Sequence, residues 1–167
     1  MKNIILVLCL FLACGCDVKA YKIPTENMTP TLLPGDRILV DRSAYANGGP
    51  KRGDIIVFKY SVNPQRAFVK RLIGLPGETV EIRDGRVLID GKALDGEPFA
   101  GIHYQNAGNF GSAGKPVTVP EHYYYALGDN PAKSHDSRYW GFVSREALIG
   151  KATEIYFPFG RRRPLGE

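Results

Sequence analysis

Beyond residue 16 this chain has no cysteine. All three, Cys9, Cys14 and Cys16, lie in the first sixteen of its 167 residues. The body therefore has no thiol for disulfides, soft-metal ligation or nucleophilic attack, and cysteine-dependent enzyme classes are excluded. No segment has the length and period of a large amphipathic helix, and there is no internal repeat. Neither sign of charge dominates: 22 Lys and Arg against 17 Asp and Glu leave a modest net +5, partly concentrated in Arg161, Arg162 and Arg163. Nucleic acid is therefore not an expected partner. The arginine run reads either as a solvated tail or as a lipid-headgroup contact. No metal site and no cofactor are expected.

What is present begins with Lys2 and an apolar run from Ile4 to Ala13, the charged start and short hydrophobic body of an export signal. At about ten residues it is short for a membrane span, which takes roughly 20. Two processing sites follow it. A-C-G-C, ending at Cys16, reads as a lipoprotein cleavage box, and V-K-A, ending at Ala20, reads as an ordinary signal-peptidase site. Lipid attachment at Cys16, an uncleaved short anchor and free release all export the remainder across a membrane. Residues 1–20 are thus expected to be a signal peptide, lipoprotein signal or anchor, and 21–167 the working domain.

Nineteen Gly and twelve Pro in an otherwise ordinary composition promise many turns, and the runs between them are β-branched. Strands are expected at Arg37–Asp41, Asp54–Tyr60 and Ala67–Ile73, the last ending at the tight turn G-L-P-G, Gly74 to Gly77. Thr79 to Asp90 alternates on both sides of Asp84-Gly85, a two-residue hairpin signal. Turn composition from Asn106 to Gly114 marks the tip of an excursion. Strands resume at Pro116–Val119, Tyr123–Leu127 and Ala152–Phe157, with one or two helical turns over Arg145–Gly150. The fold class is all-β: a β core over 23–78 and 116–157, a smaller β excursion over 79–115, and a short hydrophobic segment ahead of both. The segment Ile23 to Leu32, held by Pro24 and Pro30, is expected to be extended.

Two places could carry chemistry. Lys70, in F-V-K-R-L-I-G, shares a strand face with Phe68 and Leu72. Apolar surroundings disfavour an ammonium, and a neutral lysine accepts a proton near neutral pH. The bland alternative makes Lys70-Arg71 a solvated edge pair. The second place, G-D-N-P-A-K-S-H-D-S-R-Y-W-G from Gly128 to Gly141, gathers Asp129, Asn130, Ser134, His135, Asp136, Ser137 and Arg138. An ordinary polar loop would have similar composition, but an Asp136–Arg138 pair with hydroxyls beside it can also fix another group's orientation.

Four stretches in order, P-T-E-N-M-T-P-T-L (Pro24 to Leu32), G-D-I-I-V-F (Gly53 to Phe58), V-K-R-L-I-G-L-P-G (Val69 to Gly77) and the Gly128–Gly141 run, resemble the successive sequence boxes of the type I signal peptidases. The resemblance spans Ile23 to about Phe157. It implies a membrane-associated serine endopeptidase with an all-β core that uses a Ser/Lys dyad to remove signal peptides from exported preproteins. Carried over by residue, Lys70 would be the general base and Ser134 would hydrogen-bond its amine. Asp136 and Arg138 would brace that loop, Thr25 would donate to the oxyanion with the backbone N–H at 27, and Met28 and Pro30 would shape the substrate's surroundings. The implied partners are signal peptides and a membrane surface, with the domain on the exported side.

One residue departs from that pattern. The nucleophile position, immediately before Met28, holds Asn27, and an amide does not sustain acyl-enzyme turnover. Three readings follow from this. The family activity survives through an unorthodox nucleophile or an activated water. Alternatively, the chain is an inactive signal-peptide-binding or regulatory pseudopeptidase, or the Asn27 amide attacks its own backbone carbonyl in a single self-cleavage.

Overall fold

The computed structural model describes residues 17–166. The apolar run, the three cysteines and the box ending at Cys16 lie outside the described residues. Alternating and β-branched segments form twelve strands: β1 (Val18–Lys22), β2 (Arg37–Asp41), β3 (Ile55–Tyr60), β4 (Asn63–Gly74), β5 (Thr79–Arg83), β6 (Arg86–Ile89), β7 (Lys92–Ala93), β8 (Val117–Thr118), β9 (Tyr123–Leu127), β10 (Val143–Ser144), β11 (Leu148–Phe157) and β12 (Arg163–Pro164). The α-helix α1 (Ser137–Trp140) is a single turn. Among the described residues no helix is long and apolar enough to cross a membrane.

An eight-stranded sheet runs in the order β1-β2-β11-β3-β4-β9-β10, with β12 added beside β11. A second, four-stranded sheet runs β7-β6-β5-β8. The hairpin expected at Asp84-Gly85 is present between β5 and β6. Both turn residues have positive φ, 51° and 78°, as a turn matching the right-handed strand twist demands.

Three apolar clusters hold these layers. The first packs Ile23, Met28 and Leu32, from the segment between β1 and β2, against Ile38, Val40, Val57, Ala152 and Ile155. The second joins the sheets, with Ile73, Tyr125 and Leu127 of the large one meeting Val80, Ile82 and Val87 of the small one. The third fills the opposite face of β3, β4 and β9 with Ile56, Phe58, Leu72, Tyr124 and Ala126.

The structure departs from the sequence reading at three places. β1 includes Val18 to Ala20, inside the segment read as a leader, and pairs with β2 from Val18↔Asp41 to Lys22↔Arg37. Its side chains are largely exposed because it is the sheet's terminal strand, so it lacks the apolar alternation that marks a half-buried strand. Residues 27–32, expected to be extended, form turns instead, closed by Thr29 N–H to Glu26 O at 3.1 Å and Leu32 N–H to Met28 O at 2.9 Å. Burial of Met28 and Leu32 in the first cluster draws the chain inward and outweighs the local preference for extension. Only Arg145–Ala147 of the expected Arg145–Gly150 turns is helical, as a 3-10 turn, and β11 starts at Leu148 because Gly150 and Lys151 pair with β3.

Gly74, where β4 leaves the large sheet, shows how closely the sheets meet. A Cβ there would lie 2.6 Å from Val80 Cγ2 and 2.9 Å from Val119 Cγ2. Gly74→Ala is therefore expected to destabilise the protein by about 1–3 kcal/mol through overpacking, read as a lower urea midpoint with unchanged slope.

Candidate active site

β4 carries two buried cations on opposite faces. Lys70 stands opposite Ile56 across the β3–β4 ladder, on the face where Phe58, Phe68 and Leu72 form the third cluster. Its side chain is wholly buried, and its Nζ lies 5.5 Å from the Phe68 ring centroid. Burial pushes the Lys70 ammonium down from 10.5 to about 8, against the opposing pull of the Asp136 and Asp129 carboxylates. Its Nζ donates to Val69 O at 3.1 Å.

Arg71 faces the other way and is held by a planar fork. Its Nε and Nη2 donate to the two Asp129 carboxylate oxygens at 2.8 and 2.6 Å, and its Nη1 donates to Gly53 O at 2.8 Å. The Thr31 hydroxyl closes the network by donating to Asp129 Oδ2 at 2.5 Å. The pair is almost entirely out of water, where each charge needs the other. It joins three segments: the turn after Met28, strand β4, and the loop that follows β9.

That loop is braced from inside. Arg138 Nε and Nη2 donate to Asp136 Oδ1 and Oδ2 at 2.8 and 2.9 Å, and the guanidinium also reaches Pro131 O, Ser134 O and Gln105 O. Asp136 accepts from Gly128 N–H, and the Ser137 hydroxyl from Ala126 N–H. The loop is tied to the Asn27 turn by Asn130, whose backbone N–H donates to Asn27 O at 3.1 Å and whose side chain donates to Glu26 O at 3.1 Å. Lys133 pairs with Glu26 on the outside. Gly128 is the hinge of this approach, since a Cβ there would collide with both Ser134 Oγ and Asn27 O. The Asn27 carbonyl and the Ser134 hydroxyl thus crowd the same face of one glycine.

The arrangement brings a buried amine of lowered affinity for protons into the core of the site. The 128–138 loop, whose Asp136, Asp129 and Arg138 act on the Lys70 charge, also carries Ser134, whose buried hydroxyl has no hydrogen-bond partner among the described residues; Asn27 beside that loop is half-buried. Among the described residues no three His, Cys, Asp or Glu side chains are grouped to hold a metal ion.

The S26 family, described as signal peptidase, peptidase S26, matches residues 1–157. The chain is a member of the signal peptidase family. It is 41% identical over 155 residues to a signal peptidase I of Leptolyngbya laminosa, covering 89% of this chain and 73% of the relative. A probable signal peptidase I of Synechocystis is 40% identical, with 86% and 65% covered, and a signal peptidase I of Bacillus subtilis 37% identical, with 87% and 79% covered. A crystal structure of a signal peptidase I from Enterococcus faecalis superimposes with a TM-score of 0.50 at 37% identity, covering 61% of this chain and 95% of that one. The all-β architecture is that of the signal peptidases.

Set beside the signal peptidase pattern, the candidate residues fall into two groups. Lys70, Ser134, Asp136 and Arg138 are all buried, and Ser134 is brought beside Asn27 through Gly128. Thr25 and Pro30 are exposed on the surface segment around Asn27, while Met28 is fully buried in the first cluster. The implied hydrogen bond from Ser134 to the Lys70 amine is not formed, because that amine donates to Val69 O and Ser134 Oγ is left without a partner. Reading the sequence missed the Arg71–Asp129–Thr31 network. Its three members are 40 to 98 residues apart, and the only signal was Arg71 beside Lys70 in a run otherwise too apolar for a solvated pair.

Burying Lys70 costs stability only while it is charged. In the folded protein it loses its proton near pH 8, and in the unfolded chain near 10.5, so its cost is full below pH 8 and is relieved as pH rises to 10.5. Lys70→Met is expected to stabilise the protein at pH 6, by on the order of 3 kcal/mol at most, and by much less at pH 10. Urea unfolding of both proteins at the two pH values measures the difference.

Proposed function

We propose that this protein engages the signal peptides of exported preproteins at the membrane surface, on the exported side, and that its peptide-bond cleavage is impaired because Asn27 stands where the family has its serine nucleophile. The observation that carries this reading is Lys70, a fully buried amine on β4 that burial brings to about 8. Nothing in an inert β scaffold calls for such a group, since an apolar side chain of the same volume would pack at lower cost. A buried amine that gives up its proton this readily is suited to serve as a general base. In a Ser/Lys mechanism the neutral amine removes a hydroxyl proton as the oxygen attacks the substrate carbonyl, and later returns that proton to the leaving amine.

The remaining parts have counterparts here. The Asp136–Arg138 pair fixes the loop bearing Ser134, whose unpartnered hydroxyl is available to orient the amine as substrate enters. Thr25 and the backbone N–H at 27 would serve as oxyanion donors. The attacking atom is what the site lacks. Thr25 and Thr29 flank position 27, but Thr25 is exposed and the Thr29 hydroxyl is buried without a partner, so neither replaces the attacking serine. A binding or regulatory role without turnover therefore fits the site better than an unorthodox nucleophile.

Asn27→Ser is expected to raise cleavage of a peptide with an A-x-A motif by at least about 100-fold, since an activated nucleophile would work here with the proposed oxyanion donors. The revived activity should rise with pH and half-saturate near 8, where Lys70 loses its proton, and should vanish in Asn27→Ser/Lys70→Ala. Quantified by mass spectrometry of the products, cleavage by the unmodified protein as fast as by the Asn27→Ser variant would refute the reading.

A further inference from the structure

A groove of about 280 Å³ is lined by residues of β1 and β4, two strands whose chains run on toward Asn27 and Lys70. One wall is β1, with Lys19 and Tyr21, whose chain continues through Ile23 and Pro24 to Asn27. The other is β4, with Gln65 and Ala67, which continues to Lys70. The floor is Ile149 of β11, and Arg42 and Lys59 complete the lining. Both walls present open edges. Among the described residues β1 is the terminal strand of its sheet, and β9 pairs with β4 only from Arg71 onward, so the edge of β4 before Lys70 has no neighbouring strand on that side.

The lining is cationic. Among the described residues Lys19, Arg42 and Lys59 line the groove and no carboxylate does. Arg42 reaches Asp17 at 3.2 Å in an exposed pair, whereas Lys19 and Lys59 are in no ion pair among the described residues; Lys19 Nζ lies over the Tyr21 ring at 5.5 Å. Converging like charges repel one another unless an anion joins them.

Resting on the reading of the site as a peptide-binding one, we propose that this groove selects peptides bearing an acidic side chain a few residues from the segment held at Asn27 and Lys70. A peptide added as a strand to these open edges points alternate side chains into the groove. Ala67 and Gln65 precede Lys70 by three and five residues, about 10 and 16 Å along a strand. The carboxylate therefore belongs three to five residues from the one at the site. β1 and β4 are separated by four antiparallel pairings and run in the same direction, so a bound peptide is parallel to both or antiparallel to both. The acidic position is then on one side of the site only. An anionic lipid headgroup shares the charge but not the need for two open strand edges leading to the site, and the peptide is the occupant these features favour.

The test is a binding scan on the full-length protein in detergent, by fluorescence anisotropy at low salt. A labelled A-x-A peptide is made with Gln, and then with Glu, at each position up to six residues on either side of the motif. Glu is expected to tighten binding about fivefold, the upper end for a solvent-accessible charge pair, at positions three to five residues away on one side. The preference, read as the ratio of Glu-peptide to Gln-peptide affinity within each protein, should disappear in Lys19→Gln/Lys59→Gln and at high salt. Gln peptides that bind with no advantage for Glu at any position, or an advantage that survives the double substitution, would overturn the groove's role and leave the peptide-binding reading standing. If no peptide binds, both fall. A double variant that keeps the Glu preference but loses retention on phosphatidylglycerol vesicles would reassign the cations to lipid.

Discussion

The bidentate contact between Arg71 and Asp129 is the constraint on which the site depends. Both ions are buried, so neither can be left alone without a large desolvation penalty. Meeting that requirement fixes the end of β9 against β4 and, through the Thr31 hydroxyl, fixes the turn that carries Asn27. Lys70 is the neighbour of Arg71 on the same strand. Strand alternation then directs it into the apolar face opposite, where Phe58, Phe68 and Leu72 keep water away. One ion pair thus positions the three segments that meet in the site, and the adjacent residue gains its lowered proton affinity from the same strand geometry.

A second, independent pair does for the loop what the first does for the strands. Asp136 and Arg138 satisfy one another and the carbonyls around them, so the Gly128–Gly141 run is braced although it contains only two single helical turns. The arginines near the C-terminus contribute in a similar way. Arg161 forks onto the buried Asp36, Arg163 reaches Thr31 O, and Arg162 pairs with Glu154. These three charges hold the Asn27 turn's far end and the last strands. The sequence reading as a solvated tail or lipid contact gave them no such partners.

Much of the architecture was legible because β-branched runs between Gly and Pro turns state their own conformation. Arg37–Asp41, Tyr123–Leu127 and the Asp84-Gly85 hairpin are set by local patterning, and the structure has them there. β1 was not legible because an exposed terminal strand has no alternation to show. The turn at 27–32 was misread because its shape comes from burying Met28 and Leu32, a tertiary effect that the flanking prolines do not reveal. At the site, the four boxes drew attention to Lys70, Ser134, Asp136, Arg138 and Asn27. The partnership of Arg71 with Asp129 is written nowhere in local sequence, since it depends on two segments 58 residues apart meeting in the fold.

The proposed chemistry depends on Lys70 being a poised base beside a position that holds no attacking atom. The most direct measurement is an NMR titration of the lysine side chains in the unmodified protein, with the Lys70 signal assigned through Lys70→Arg. The Lys70 resonance is predicted to titrate near pH 8, well separated from those of the exposed lysines. A Lys70 that titrates with the others near 10.5 would contradict the claim, and the resemblance to the signal peptidases would then extend to the fold but not to the chemistry.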